Sequence, residues 1–347
     1  MGIWKQTVAQ ARNRRIFEIE FDDFLPRRIV DFHVHVFPRS VNPGRRPFSC
    51  AGHPLREYLA GDFFRDSARV YPGREVRGVF FGMPFQGWRQ RANDLYVARA
   101  CDCVHSFPVR LLDPATDSEE LLRKDVAEHG FVGLKPYPDY VRGVARDRVR
   151  LHHMLPDWAM QVADEMGLLV ILHLPRPGRL ADPVNRRDIA GLCRRWPRAR
   201  IVLAHVGRAY YLRNALIGLS PVADISNLWF DTAMLNNWEV LALLFRRVAP
   251  SRILYGTDTP IALAPGKSVE INDQYTYVTP VPWELSIHDS GGKLQFTSFL
   301  YEELRAIKRA VEETGWDGSF IERLFFRNAM ELLKSCVGSG KQERRKE

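Results

Sequence analysis

The chain has 347 residues, 46% of them apolar and 11% aromatic, enough for a large packed core and too many for a disordered chain. Its 50 Lys and Arg against 41 Asp and Glu give a formal charge of +9. The arginines are scattered in short pairs such as Arg45-Arg46, Arg186-Arg187 and Arg246-Arg247. With no clustered basic footprint and no known module, nucleic acid is excluded as the expected partner. The charge reads as a solvated basic surface, or as attraction for an anionic substrate.

The five cysteines, Cys50, Cys101, Cys103, Cys193 and Cys336, are odd in number and fit no zinc-ribbon spacing. Cys101 and Cys103 fall in a predicted helix, where i and i+2 share no face. All five read as free thiols of a reducing compartment. Residues 1–10 lack an apolar signal core, and Gln6 breaks the myristoylation pattern that Gly2 would begin. No apolar run is long enough to span a membrane. The expected location is the cytoplasm, with no membrane partner.

Residues 1–28 form an N-terminal extension. Short apolar runs then alternate with amphipathic segments. Strands are expected at Ile29–Val36, Val76–Pro84, Val104–Asp113, Gly133–Pro136, Leu168–Leu174, Arg200–Val206, Leu228–Thr232 and Arg252–Thr257. Helices are expected between them, at Leu55–Val70, Ala92–Cys103, Ser118–His129, Pro156–Met166, Arg186–Trp196, Ala209–Leu219 and Trp238–Val248. Runs such as Leu168 to Leu172 and Ile201 to Leu203 are continuously apolar, as in parallel strands buried on both faces. The order implies an α/β fold, a (β/α)8 TIM barrel over 29–337; a doubly wound open sheet is the rival.

After the eighth strand, residues 260–296 are rich in Pro, Gly and aromatics and show no clear period. A loop insertion this long is usually functional. Its place beside the last strand end makes it a candidate lid. Packing away from the mouth, as the contact of a homodimer, is the other reading. C-terminal helices are expected at Ser298–Thr314 and Ser319–Ser335, then a disordered basic tail, 338–347.

The chemistry gathers at strand ends. In Asp31-Phe-His33-Val-His35 the two histidines are spaced i, i+2 and share one side of a strand. His173, His205 and Asp258 each follow an apolar run at its C-terminal end, the end that carries the site in this kind of barrel. As core residues these groups would demand many buried hydrogen bonds; a divalent metal satisfies them together. Imidazole and carboxylate suit zinc, and also manganese, iron or nickel.

These motifs, with Gly-Leu-Lys-Pro-Tyr-Pro at 133–138, Leu-Ala-His-Val-Gly at 203–207 and Tyr-Gly-Thr-Asp-Thr-Pro at 255–260, resemble the amidohydrolase superfamily. The resemblance runs from Ile29 to Leu333 and is closest to the amidohydrolase-2 branch of hydrolases, lactonases and decarboxylases. It implies one metal held by His33, His35, His173 and Asp258, with His205 beside the water as acid or base. Elsewhere in the superfamily a carboxylated fourth-strand lysine bridges two ions. Lys135 occupies that place, so a binuclear site with Lys135 as the bridge and His173 and His205 on the second ion stays open. Water on a divalent ion ionises at a pKa of about 7. It would attack an amide, ester or lactone carbonyl of a small substrate, with Asp258 taking its proton. The alternative is a non-oxidative decarboxylase, a carbon–carbon lyase on the same site. Many of those enzymes carry Glu-x-His, and His33-x-His35 tilts the reading to hydrolysis. A non-catalytic barrel would have lost a ligand, and none is lost. Arg176 and Arg208 are candidates for a substrate carboxylate, and Tyr137, Tyr140, Trp283 and His288 for the pocket wall. Asp231, ending the seventh strand, reads as a structural hydrogen-bonding group.

Overall fold

The structure is a computed structural model that describes residues 11–44 and 46–343. Apolar runs with too few polar residues for a solvated face become strands buried on both sides. β1 (Arg28–His35) is followed by a small hairpin, β2 (Phe48–Cys50) and β3 (His53–Leu55). Then come β4 (Glu75–Phe81), β5 (Ser106–Leu112), β6 (Gly133–Pro136), β7 (Leu169–Leu172), β8 (Arg200–Leu203), β9 (Leu228–Asp231) and β10 (Ile253–Leu254). The eight longer-range strands pair in parallel in the order β1-β4-β5-β6-β7-β8-β9-β10. The seam between the ends is closed by Phe32 N–H to Tyr255 O (2.9 Å), Asp258 N–H to His33 O (2.8 Å) and His35 N–H to Thr259 O (2.7 Å). The fold is a (β/α)8 barrel. Asp31 pins that seam: its carboxylate accepts from Thr257 N (2.9 Å) and Thr257 Oγ1 (2.6 Å).

Two apolar layers follow from strand alternation. Ile201, Leu203, Val170 and Leu172 face the surrounding helices, in the cluster that holds Ile189, Val162 and Leu219. Val30, Phe32, Val79, Phe81, Val109, Leu169, Ile171, Val202 and Leu254 form the interior cluster with Phe326, Ala329, Leu332 and Leu333. The last helix therefore plugs one end of the barrel.

Most helices fall where the periodicity places them, with shifted ends. Ser118 caps Glu119–His129 by accepting from Leu121 N, and left-handed Gly130 (φ 68°) stops it. The helix that follows the β2–β3 hairpin is Ala60–Val70, shorter than the expected Leu55–Val70, because residues from Phe48 to Leu55 pair as the hairpin. The helix Gln90–Ala100 ends before the cysteines. Asp102 accepts from the backbone N–H of Val104, His105 and Ser106, a turn that outcompetes the helix; Cys101 and Cys103 lie in this connection, and none of the five cysteines forms a disulfide among the described residues. Pro183–Arg195 starts early because Asp182 caps it through Val184 N and Asn185 N. The chain from Gly318 forms Gly318–Glu322, a π-turn Arg323–Arg327 and Asn328–Glu343. Residues 344–347, like 1–10 of the extension, lie outside the described residues. No helix among the described residues is long and apolar enough to cross a membrane.

The segment after β10 is not the structureless loop its composition implied. It folds into β11 (Lys267–Ile271), β12 (Gln274–Thr279) and β13 (Ser286–His288), a three-stranded sheet. β11 and β12 are joined by Asn272 and Asp273, both at positive φ (48° and 60°). That is the mirror-image turn that two-residue hairpins prefer.

Candidate metal centre

Alternation brings the polar groups inward. His173 continues the interior side of Leu169 and Ile171, Lys135 that of Gly133, and Asp231 that of Trp229. β1 needs an irregularity, since Val30 and Phe32 already face inward. The β1–β4 register shifts between Asp31 and Val34, and this bulge turns both His33 and His35 to the interior, as bulges do beside sites. Gly256 makes room for it: a Cβ there would meet His33 Cβ at 2.9 Å.

His205 arrives by a different device. The sequence reading carried its strand to Val206, but β8 stops at Leu203. His205, Val206, Gly207 and Arg208 all have positive φ, from 51° to 65°. Left-handed geometry at non-glycine residues costs roughly 1–2 kcal/mol each, and such strain gathers at functional sites. Asp231 pins the turn by accepting from His205 N at 2.7 Å. Asp258 is also left-handed, at φ 70°.

The rings are oriented from behind. His35 Nδ1 lies 2.8 Å from Gly82 O, and His205 Nδ1 2.9 Å from Ala233 O. A carbonyl only accepts, so each Nδ1 carries the proton. His33 Nδ1 meets the Asp231 carboxylate at 2.9 Å. In neutral rings the Nε2 lone pairs of His33 and His35 then point at Asp258 Oδ1, 3.6 and 3.3 Å away. Burial lowers the pKa of His33 well below its ordinary value, and Lys135 adds to the effect. Burial pushes Asp258 up, but its contact with His35 and the fields of His33 and His205 hold it at about 2. The imidazole nitrogens and the ionised carboxylate turned on one point make a cluster of acceptors, which the amine of Lys135 meets at His33 Nε2. The arrangement fits a cation, and such carboxylate- or carbonyl-backed histidines are the usual metal-site support.

Among the described residues, two groups have ligand atoms within 4.8 Å of one another: His33, His35 and Asp258, and His33, His205 and Asp231. His173 stands beside them, its ring 5.5 Å from that of His205. Its Nδ1 is buried with no hydrogen-bond partner, and burial, with Arg208 next, depresses its pKa. Fully buried Lys135 reaches into the same space, with Nζ 2.9 Å from His33 Nε2. Burial lowers its pKa to about 7 against the pull of Asp231 and Asp258. Asp231, read from the sequence as structural, joins three strand ends: it bonds His33 and His205 and accepts from Ala233 N.

The weaker candidates separate. Tyr137 stacks 5.5 Å from His173. Tyr140 is buried behind it and borders a groove of about 710 Å³ with Trp88 and Arg142. Arg208 donates to Leu174 O at 2.8 Å beside His173, and Arg176 pairs with Asp182 at 3.1 Å. Trp283 packs 5.0 Å from Tyr277. His288 is exposed on β13, and no contact among the described residues links it to the cluster. Asn236 and Asn237 anchor the three-stranded sheet: Asn236 accepts from Ser268 N, and Asn237 donates to Glu270. Glu270 also accepts from Leu212 N, and Tyr275 lies 4.5 Å from Tyr210. The sheet therefore rests on the connections that follow β8 and β9, at the cluster's end of the barrel.

A (β/α)8 barrel with histidines and carboxylates converging at its C-terminal mouth defines a class of site that serves metal-assisted chemistry. The sequence profile described as Amidohydrolase matches residues 30–276, and the chain belongs to that family. Similar solved structures share the fold at low identity. An amidohydrolase from Burkholderia multivorans with bound zinc is 13% identical, covers 88% of this chain and 99% of its own, and has a TM-score of 0.57. A candidate 2-pyrone-4,6-dicarboxylic acid hydrolase from Pseudomonas putida is 18% identical, with 90% and 99% coverage and a TM-score of 0.55. 4-Oxalomesaconate hydratase from Rhodopseudomonas palustris is 15% identical, with 91% and 99% coverage and a TM-score of 0.54. No curated protein matches the sequence.

Proposed function

We propose that this protein is a metal-dependent hydrolase acting on an amide, ester or lactone of a small anionic substrate. The observation that carries the reading is the convergence of the His33 and His35 lone pairs on the ionised Asp258 carboxylate. His33, His35, His173 and Asp258 would hold one divalent ion, zinc by the nature of these ligands. When bound, the ion supplies a Lewis acid and makes water acidic. The chain's own residues do the rest. Asp258 accepts the proton of the attacking water. His205, with its Nδ1 proton fixed on Ala233, orients that water through Nε2. Asp231 and Gly82 hold the rings of His33 and His35 in place.

Lys135 favours a second arrangement, because its buried Nζ already touches His33: carboxylated, it would join two ions. Elemental analysis of protein purified without chelators distinguishes these, with one ion per chain expected and two supporting the bridge. The same preparation is then assayed on a panel of esters, lactones and amides, with carbon dioxide release followed in parallel on aromatic and unsaturated acids. Hydrolysis that disappears on chelation, returns with zinc and is lost in Asp258→Asn is the expected outcome. Full activity in metal-free protein would sink the reading, and metal-dependent carbon dioxide release without hydrolysis would replace it with decarboxylation.

A further inference from the structure

Among the described residues, Arg179 near the mouth has no anion. Arg179 begins the short turn after β7, six positions beyond His173, and its guanidinium carbon lies 4.3 Å from the Tyr275 ring and 5.6 Å from the Tyr210 ring. Its Nε is buried and without a hydrogen-bond partner, and among the described residues no carboxylate pairs with it. Its neighbours are engaged: Arg176 with Asp182, Arg208 with the Leu174 carbonyl. A guanidinium offers five donors, and leaving a buried one unmet costs stability. The backbone is held for this placement. Arg179 sits at φ 55°, where glycine would rest without strain, and its carbonyl is fixed by Asn185 Nδ2 at 2.8 Å.

The position is joined to the cluster. Tyr210 stacks 5.9 Å from His205 on one side and 4.5 Å from Tyr275 on the other. Both aromatic platforms thus lead from the reacting centre to Arg179, one from the barrel and one from the sheet that covers it. We propose that Arg179, with the Tyr210 and Tyr275 rings as its floor, is the subsite for a substrate carboxylate remote from the bond that breaks. The substrate class is then an acid whose second functional group, the hydrolysed one, lies a ring's length or more from that carboxylate. This rests on the hydrolase reading for the location of the reacting centre.

The test uses zinc-loaded full-length protein and titration calorimetry. Acetohydroxamate probes the metal locus alone. Succinate, glutarate, adipate and pimelate are compared with the monocarboxylates of equal length. At the matching length the dicarboxylate is expected to bind about tenfold or more tightly than its monocarboxylate, the worth of a charge-assisted hydrogen bond. Arg179→Met should remove that advantage and Arg179→Lys restore part of it, while acetohydroxamate binds all three proteins alike. An advantage that survives in Arg179→Met, or no advantage at any length in protein that binds acetohydroxamate, would overturn the subsite. Failure of zinc-loaded wild-type protein to bind acetohydroxamate would overturn the metal reading and the subsite with it.

Discussion

Asp231 shows how one residue can decide a site without being read from the sequence as part of it. Its two oxygens hold the His33 ring and the backbone of the left-handed turn that presents His205. Asp231→Asn keeps the shape but weakens the hold on His33. The expected result is about 10–100-fold weaker metal affinity, as for other groups that orient a ligand, with the far-ultraviolet spectrum unchanged; zinc titration against a competing chelator measures it, and equal affinity would refute the role. His205→Ala should keep its metal and lose most turnover. Metal loss as complete as in His173→Ala would make His205 a ligand instead. His33, His35 and Asp258 were legible because strand ends and i, i+2 spacing are local properties. The bulge beside His33, the turn at 205–208 and the unpaired state of Arg179 were not, because each depends on what lies across the barrel.

At the scale of elements, strand and helix order was legible, since apolar runs and amphipathic segments alternate cleanly. The three-stranded sheet after β10 was only half legible. Lys-Ser-Val-Glu-Ile and Gln-Tyr-Thr-Tyr-Val-Thr alternate around Asn272-Asp273, a hairpin signal hidden by the absence of glycine at the turn. Glu270 anchors this sheet to the connections after β8 and β9. Glu270→Ala is expected to speed amide exchange across 267–279 and lower kcat/KM, with metal content unchanged. Unaltered kinetics together with a changed oligomeric state would show that the sheet serves assembly rather than catalysis.

For the whole molecule, stability carries a pH dependence that can be assigned. Asp94 is fully buried, accepts from Leu111 N at 3.0 Å and leaves its other oxygen unpartnered. Burial raises its pKa from 3.8 to about 7, against the pull of Arg110. Between these values the folded chain keeps a proton that the unfolded chain has lost, so stability falls as pH rises through the window and is fully present below it. Asp94→Asn should flatten the decline of melting temperature between about pH 4 and 7; an unchanged slope would refute the assignment. The seam has a consequence of another kind. His33 and His35 stand on the first barrel strand and Asp258 follows the last, held together where Phe32, His33 and His35 bond to Tyr255, Asp258 and Thr259 and where Asp31 accepts from Thr257. During synthesis the two histidines leave the ribosome more than 200 residues ahead of their carboxylate. On the proposed reading, a chain still being made therefore offers an ion an incomplete set of ligands, and the set is whole only once the barrel has closed.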